Sequence, residues 1–146
     1  MDIFGGDNMR LWHKDLIPYL PAQQLLGQWR ECCCIAKNIV ENGTPNHILV
    51  NKIMDYPIEH FIRYGAEVIR VMINHNYDVN PEKFFKYFDD KTIDSCQPIS
   101  INSIFIEWHN DRYLRQCLYN LQEKADCNGV SEEEWARITD HFVVMS

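Results

Sequence analysis

Arg30 and Glu31 stand side by side in a stretch whose apolar spacing predicts a helix from Pro21 to about Asn42. At 100° per residue, Ala22, Leu25, Leu26, Trp29, Cys33, Ala36 and Val40 fall on one apolar stripe. Gln24, Gly27, Glu31, Cys34 and Asn38 form the opposite line, polar without being heavily charged. A carboxylate set among such groups can stabilise positive charge as it develops in a transition state. Gly27 lies one turn before Glu31 and costs a helix interior about 1 kcal/mol relative to alanine. Close approach of another backbone, or of a ligand, would account for it. The plainer account is a solvated face that tolerates a glycine.

The other reactive residue types form no recognisable constellation. His13, His47, His60, His75, His109 and His141 include no HExxH spacing, and the six cysteines include no C-x-x-C pair, so no metal site or cofactor is expected. Cys32, Cys33 and Cys34 would point in three directions from one helix, which suits neither a disulfide framework nor a metal cage. Lys14 is an amine near the same helix, although most lysines are solvated surface groups. Phe84, Phe85, Tyr87 and Phe88 could stack bases, but helical spacing favours a core role. The run Glu132-Glu133-Glu134 suits the first turn of a helix, where its dipole favours negative charge.

These residues must be positioned by helices. Residues 1–8 read as a flexible leader containing Gly5, Gly6, Asp7 and Asn8. Met9 to Pro21, with Pro18 and Pro21, reads as an extended segment threaded against the first long helix, anchored by Leu11, Trp12, Leu16, Ile17 and Leu20. Pro21 suits a helix start and Gly43 a helix stop. A short helix over 45–54 and a longer one from Pro57 to about Asn76 follow. Pro81 opens a short helix through Phe88, residues 91–100 read as loop, and another helix is expected from about Ser103 to Lys124. Ser131 and Glu134 have the spacing of a capping box for a last helix reaching about Val143. The β-branched run from Ile99 to Ile106 fits this pattern least well. The fold class is all-α, a compact single helical domain over 9–146 whose part beyond about residue 90 is the more acidic.

Composition narrows the classes further. The 146 residues are 46% hydrophobic and 24% charged, a globular balance that needs no disulfide or metal staple. The start MDIFGGDN lacks the basic and apolar regions of a signal peptide, which predicts reduced cysteines and a cytoplasmic location. No apolar stretch approaches the roughly 20 residues that span a membrane. The formal net charge is −7, with −5 of it in residues 92–146, whereas residues 9–52 carry five basic and three acidic groups. Affinity for duplex DNA comes largely from neutralised phosphates, so the global charge opposes tight scanning of DNA.

The run Met9-Arg10-Leu11-Trp12-His13, then Asp15-Leu16-Ile17-Pro18-Tyr19-Leu20-Pro21, then Gln23 through Cys33 resembles the pyrimidine-dimer DNA glycosylase family of endonuclease V type, closest to its bacterial and phage branch. The similarity is dense from Met9 to Cys33, thins through His47, Tyr64 and Tyr77, and fades after about Phe85. It implies a compact all-α fold pierced by the N-terminal segment. It also implies glycosylase and abasic-site lyase chemistry on damaged pyrimidines. The α-amine of the mature first residue attacks the sugar C1′, and a glutamate on the first helix stabilises the cationic sugar. By position, Glu31 matches that glutamate, Arg30 the arginine before it and Arg10 the arginine beside the amine. Gln24 stands where the phage enzyme has a histidine. His13 and His47 fall at matching positions and could rim the pocket, with Gly27 in its wall.

The family's chain starts at the position of Met9, and here eight residues precede it. With those eight in place the Met9 nitrogen is an amide and cannot form a Schiff base. With Met9 first, Arg10 would protect it from removal and Met9 would supply the amine. Three functions therefore stand open. The first is a DNA glycosylase/lyase using Met9 and Glu31. The second is an inactive family member that binds or sequesters a nucleotide or nucleotide-like signal, as a phage anti-defence protein would. The third is a homo-oligomeric interaction module using the acidic C-terminal helices.

Overall fold

The computed structural model describes residues 9–95 and 99–144; the leader expected over residues 1–8, and Cys96, lie outside them. Helices account for the regular structure, and no strand occurs among the described residues, so the fold is all-α. The α-helices are α1 (Ala22–Asn42), α2 (Ile58–Asn74), α3 (Glu82–Phe85), α4 (Asp90–Ser95), α5 (Asp111–Asp126) and α6 (Glu132–Thr139). Three 3-10 segments, Lys14–Tyr19, Asn51–Asp55 and Ile101–Ser103, join the set.

α1 begins after Pro21 and ends at Gly43, which closes it in the left-handed conformation at φ 78°. Only glycine adopts that cap without steric cost. Pro57 precedes α2 in the same manner, and Ser131 with Glu134 forms the expected capping box on α6. α2 is the central element: Phe61, Ile62, Tyr64, Val68, Ile69, Val71 and Met72 are all buried. It packs on α1 and on the Lys14–Tyr19 segment. Gly65 lets the Phe84 ring of α3 lie directly against α2, where a Cβ would collide with the ring.

Four expectations are corrected. The segment from Met9 to Pro21 is not extended throughout: Lys14–Tyr19 forms a 3-10 helix, because the His13 side chain caps it by accepting from the Asp15 amide. The helix expected over 45–54 is reduced to the Asn51–Asp55 segment. Residues 91–100 are not all loop, since α4 runs from Asp90 to Ser95. The helix expected from Ser103 begins only at Asp111, where the Asn110 side chain accepts from the Tyr113 amide. The intervening turn holds Phe105 in the left-handed region at φ 49°, buried among Tyr56, His60, Tyr64, Trp108 and His109. That conformation costs a non-glycine residue about 1 kcal/mol or more, so tertiary packing sustains it.

Candidate active site

The face of α1 that enters the core is rotated from the apolar stripe of the sequence. Leu25, Gln28, Cys32, Ile35 and Ala36 are buried, whereas Ala22 and Val40 are exposed. Gln28 explains the rotation. Its Oε1 accepts from the Trp12 amide at 2.7 Å, and its Nε2 donates to the Arg10 carbonyl at 2.9 Å. The buried Tyr64 hydroxyl donates to the Trp12 carbonyl at 2.5 Å and lies 2.9 Å from Gln28 Oε1. A strand-like stretch with no sheet to join has orphan amides and carbonyls, and these side chains satisfy them. Gln28 and Tyr64 were not singled out as site residues. A glutamine within the densest part of the family-like run, one turn after Leu25 of the stripe, was the available signal.

Glu31 completes the clamp from the flank of the same face. Its Oε2 accepts from the Arg10 amide at 3.0 Å. Burial pushes the Glu31 carboxyl up to about 7, against the opposing pull of the Arg10 amide and the Arg10 and Arg30 charges. A methyl group built on Gly27 would meet only Glu31 Oε1, at 4.0 Å. No other backbone among the described residues presses on Gly27, so of the accounts open in the sequence the packed segment is not met there, and among the described residues the space beside the carboxylate is open. Gln24, one turn before Gln28, has a buried Oε1 with no hydrogen-bond partner among the described residues.

Glu31 has a natural comparison in Glu67 of α2. Burial pushes Glu67 up too, but hydrogen bonds from Arg70 and Arg63 at 2.5 and 3.1 Å outweigh it and hold the carboxyl below its usual range. Glu67 is a neutralised structural ion. Glu31 is a carboxyl able to give or take a proton near neutrality, the property required of a general acid or base.

Met9, Arg10, Gln24, Gly27 and Glu31 therefore gather where the N-terminal segment crosses α1. Met9 is buried, and its peptide leads directly to the amide held by Glu31. Arg30 is exposed beside them. The Arg10 guanidinium lies 5.3 Å from the Trp12 ring centre and lines a cleft of about 490 Å³. The cleft's other walls are the 48–52 turn, Trp108, and the start of α5 with Arg112 and Tyr113. His47 immediately precedes that turn, and its backbone bonds tie it to Val50 and Asn51. His13 is set apart: it is buried, its Nε2 lies 3.0 Å from the His109 carbonyl, and its ring stacks on His109 at 5.2 Å. With Nδ1 accepting from Asp15, Nε2 must carry the proton and donate. Lys14 is structural as well, its Nζ donating to the carbonyls of Asn102 and Ile104. Phe84 is fully buried and its aromatic neighbours pack on the core, as their spacing implied. Among the described residues no group of His, Cys, Asp and Glu has the arrangement of a metal site.

The model of the pyrimidine dimer DNA glycosylase family matches residues 9–85, more than half of the chain. The chain belongs to that family. Comparison with curated proteins and with solved structures gave no match. The glycosylase match begins at Met9 and takes in the whole Arg10–Gln28–Glu31 clamp together with Tyr64 and Phe84. It excludes α5, α6 and the Phe105 turn, although α5 and residues 107–110 before it form one wall of the cleft beside Arg10. Family membership points to DNA as the substrate class. Among the described residues no helix is long and apolar enough to cross a membrane.

Proposed function

We propose that the protein is a DNA glycosylase with associated abasic-site lyase activity on damaged pyrimidines, acting in the cytoplasm. The reading rests on one observation above all. Glu31, with its proton affinity raised to about 7, is bonded to the amide immediately after Met9, the first residue of the family match.

With Met9 as the terminal residue, its α-amine would have an ordinary pKa of about 7.7–8.0 and a useful neutral fraction near pH 7. The nitrogen lone pair forms a bond to the sugar C1′ while the C1′–N1 bond breaks and its electron pair leaves with the pyrimidine. The amine gives up a proton, the sugar ring opens, and an imine joins Met9 to C1′. Loss of a 2′ proton then expels the 3′ phosphate and cuts the strand. Ionised Glu31 stabilises the cationic sugar as the base departs, and protonated Glu31 can return a proton to the ring oxygen. Arg10 and exposed Arg30 supply cations for the flanking phosphates.

Borohydride trapping on abasic and dimer-containing duplexes tests this, using the chain begun at Met1 and the chain begun at Met9. The Met9 form should give a covalent adduct that Glu31→Gln reduces at least about a hundredfold. No adduct from either form would overturn the reading. If an intact nucleotide then bound tightly in calorimetry, the non-catalytic alternative of a nucleotide-sequestering protein would take its place. The open flank at Gly27 and the formal net charge of −7 are the features that favour that alternative.

A further inference from the structure

The cleft beside Arg10 has a wall that the family match does not cover. Arg112, Gln116 and Asn120 of α5 all line it, and their spacing of four residues puts them in one row along the helix. Arg10 and Lys52 line the same cleft from outside α5. Glu107 is the one carboxylate among the lining residues, and it accepts from the Tyr56 hydroxyl at 3.2 Å. No ion pair joins Arg10, Lys52 or Arg112 to a carboxylate among the described residues. Three cations thus face one carboxylate in a chain whose formal net charge is −7. A cleft lined this way concentrates field of one sign and attracts an anion that the rest of the surface repels. Its volume of about 490 Å³ suits a nucleotide-sized group.

We propose that this cleft seats the sugar–phosphate backbone of the DNA strand next to the reacting nucleotide. Arg10, Lys52 and Arg112 hold the phosphates, and Gln116 and Asn120 hydrogen-bond the sugar and base edges. Arg10 connects the seat to the chemistry, since its side chain lines the cleft while its amide is held by Glu31. A strand seated there passes one residue from the carboxylate. Arg112 of the α5 row, with Arg10 and Lys52, supplies the anion-binding surface that the overall charge of the chain lacks. The identity of the strand as DNA rests on the glycosylase reading; the set of three cations does not.

The test is equilibrium binding of the full chain to a fluorescein-labelled duplex carrying one tetrahydrofuran abasic analogue, which has no leaving group at C1′ and cannot react with an amine. Arg112→Ala should weaken binding roughly three- to tenfold and lower the slope of log affinity against log salt by about 0.9, the signature of one phosphate contact. Gln116→Ala with Asn120→Ala should weaken binding and leave the slope unchanged, because amides release no counterions. Arg112→Lys should restore the slope, and Lys91→Ala, a charge-matched change on α4, should alter neither quantity. An unchanged slope in Arg112→Ala, in a variant with parental circular dichroism, would overturn the proposal. So would full displacement of the duplex by equimolar thymidine monophosphate, which would assign the cleft to a free nucleotide. Failure of borohydride trapping with these binding effects intact would remove the catalytic reading and keep the seat. Intact trapping with no binding effects would do the reverse.

Discussion

Glu31 and Glu67 are both withdrawn from water, yet they titrate in opposite directions because one faces a single amide and the other two guanidinium groups. The difference has a consequence for stability. A carboxyl raised in the folded state to about 7, from 4.5, binds more protons folded than unfolded across that interval. Its contribution is fully present below pH 4.5 and is lost as pH rises through about 7. Glu31→Gln keeps an acceptor for the Arg10 amide without a charge to bury. It should therefore stabilise the protein at pH 8 by about 2 kcal/mol and change little at pH 4, as read by urea unfolding at the two values. The same group predicts that the adduct-forming rate bends near pH 7, and that Glu31→Gln removes this bend and leaves only the one set by the α-amine at about 7.7–8.0. Gln28 is the opposite case. Gln28→Ala leaves the buried Trp12 amide and the part-buried Arg10 carbonyl without their partner, at a cost of about 2–3 kcal/mol in urea unfolding. Trapping by the Met9 form should fall as well, since the segment that carries Met9 loses its anchor.

At the scale of the elements, the boundaries of α1 were legible because Pro21 and Gly43 punctuate the chain by backbone chemistry alone. Its register was not. The apolar count along α1 favoured a stripe through Val40, but the buried side carries Gln28, whose hydrogen bonds to a neighbouring segment no periodicity contains. The late start of α5 was hidden for a similar reason. Phe105 is held in the left-handed region by the aromatic side chains around it and by backbone bonds to His60, Trp108 and His109, and the sequence shows a β-branched run instead. Within the site, Glu31, Arg30 and Arg10 were legible through family resemblance, whereas the α5 row lay beyond it. The contact of α2 with α3 was not foreseen and makes a prediction. Gly65→Ala forces a methyl group into the fully buried Phe84 ring, which has no room to retreat. It should cost about 1–3 kcal/mol in guanidinium unfolding, and a smaller side chain in Phe84→Leu should recover part of the loss in the double variant.

For the whole molecule, the decisive bonds run between the family-matched part and the part beyond it. The Tyr113 hydroxyl donates to the Leu11 carbonyl at 2.7 Å, Lys14 Nζ to the carbonyls of Asn102 and Ile104, and the Ala22 amide to Glu134 Oε2 at 2.8 Å. His109 is the buried centre of this seam: its Nδ1 accepts from the Lys14 amide at 3.0 Å and its carbonyl meets His13. Residues 9–90 alone would leave these groups unpaired, so the chain should unfold as one cooperative unit. Tryptophan fluorescence samples both parts through Trp12, Trp29, Trp108 and Trp135. Its denaturation midpoint should coincide with that of far-ultraviolet circular dichroism, and two separated transitions would sink the expectation. Acid should open the same seam. Burial lowers the pKa of His109 well below 6.5 and lowers that of His13, so the unfolded chain binds the extra protons. Their contribution is present above pH 6.5 and is lost as pH falls through that value. Glu31 works in the other direction over the same interval, so the loss is cleanest in the Glu31→Gln background. There, unfolding free energy should fall steadily from pH 7 to pH 5, with fluorescence and dichroism still sharing one midpoint. A flat profile would mean that the histidine seam opens to solvent without unfolding.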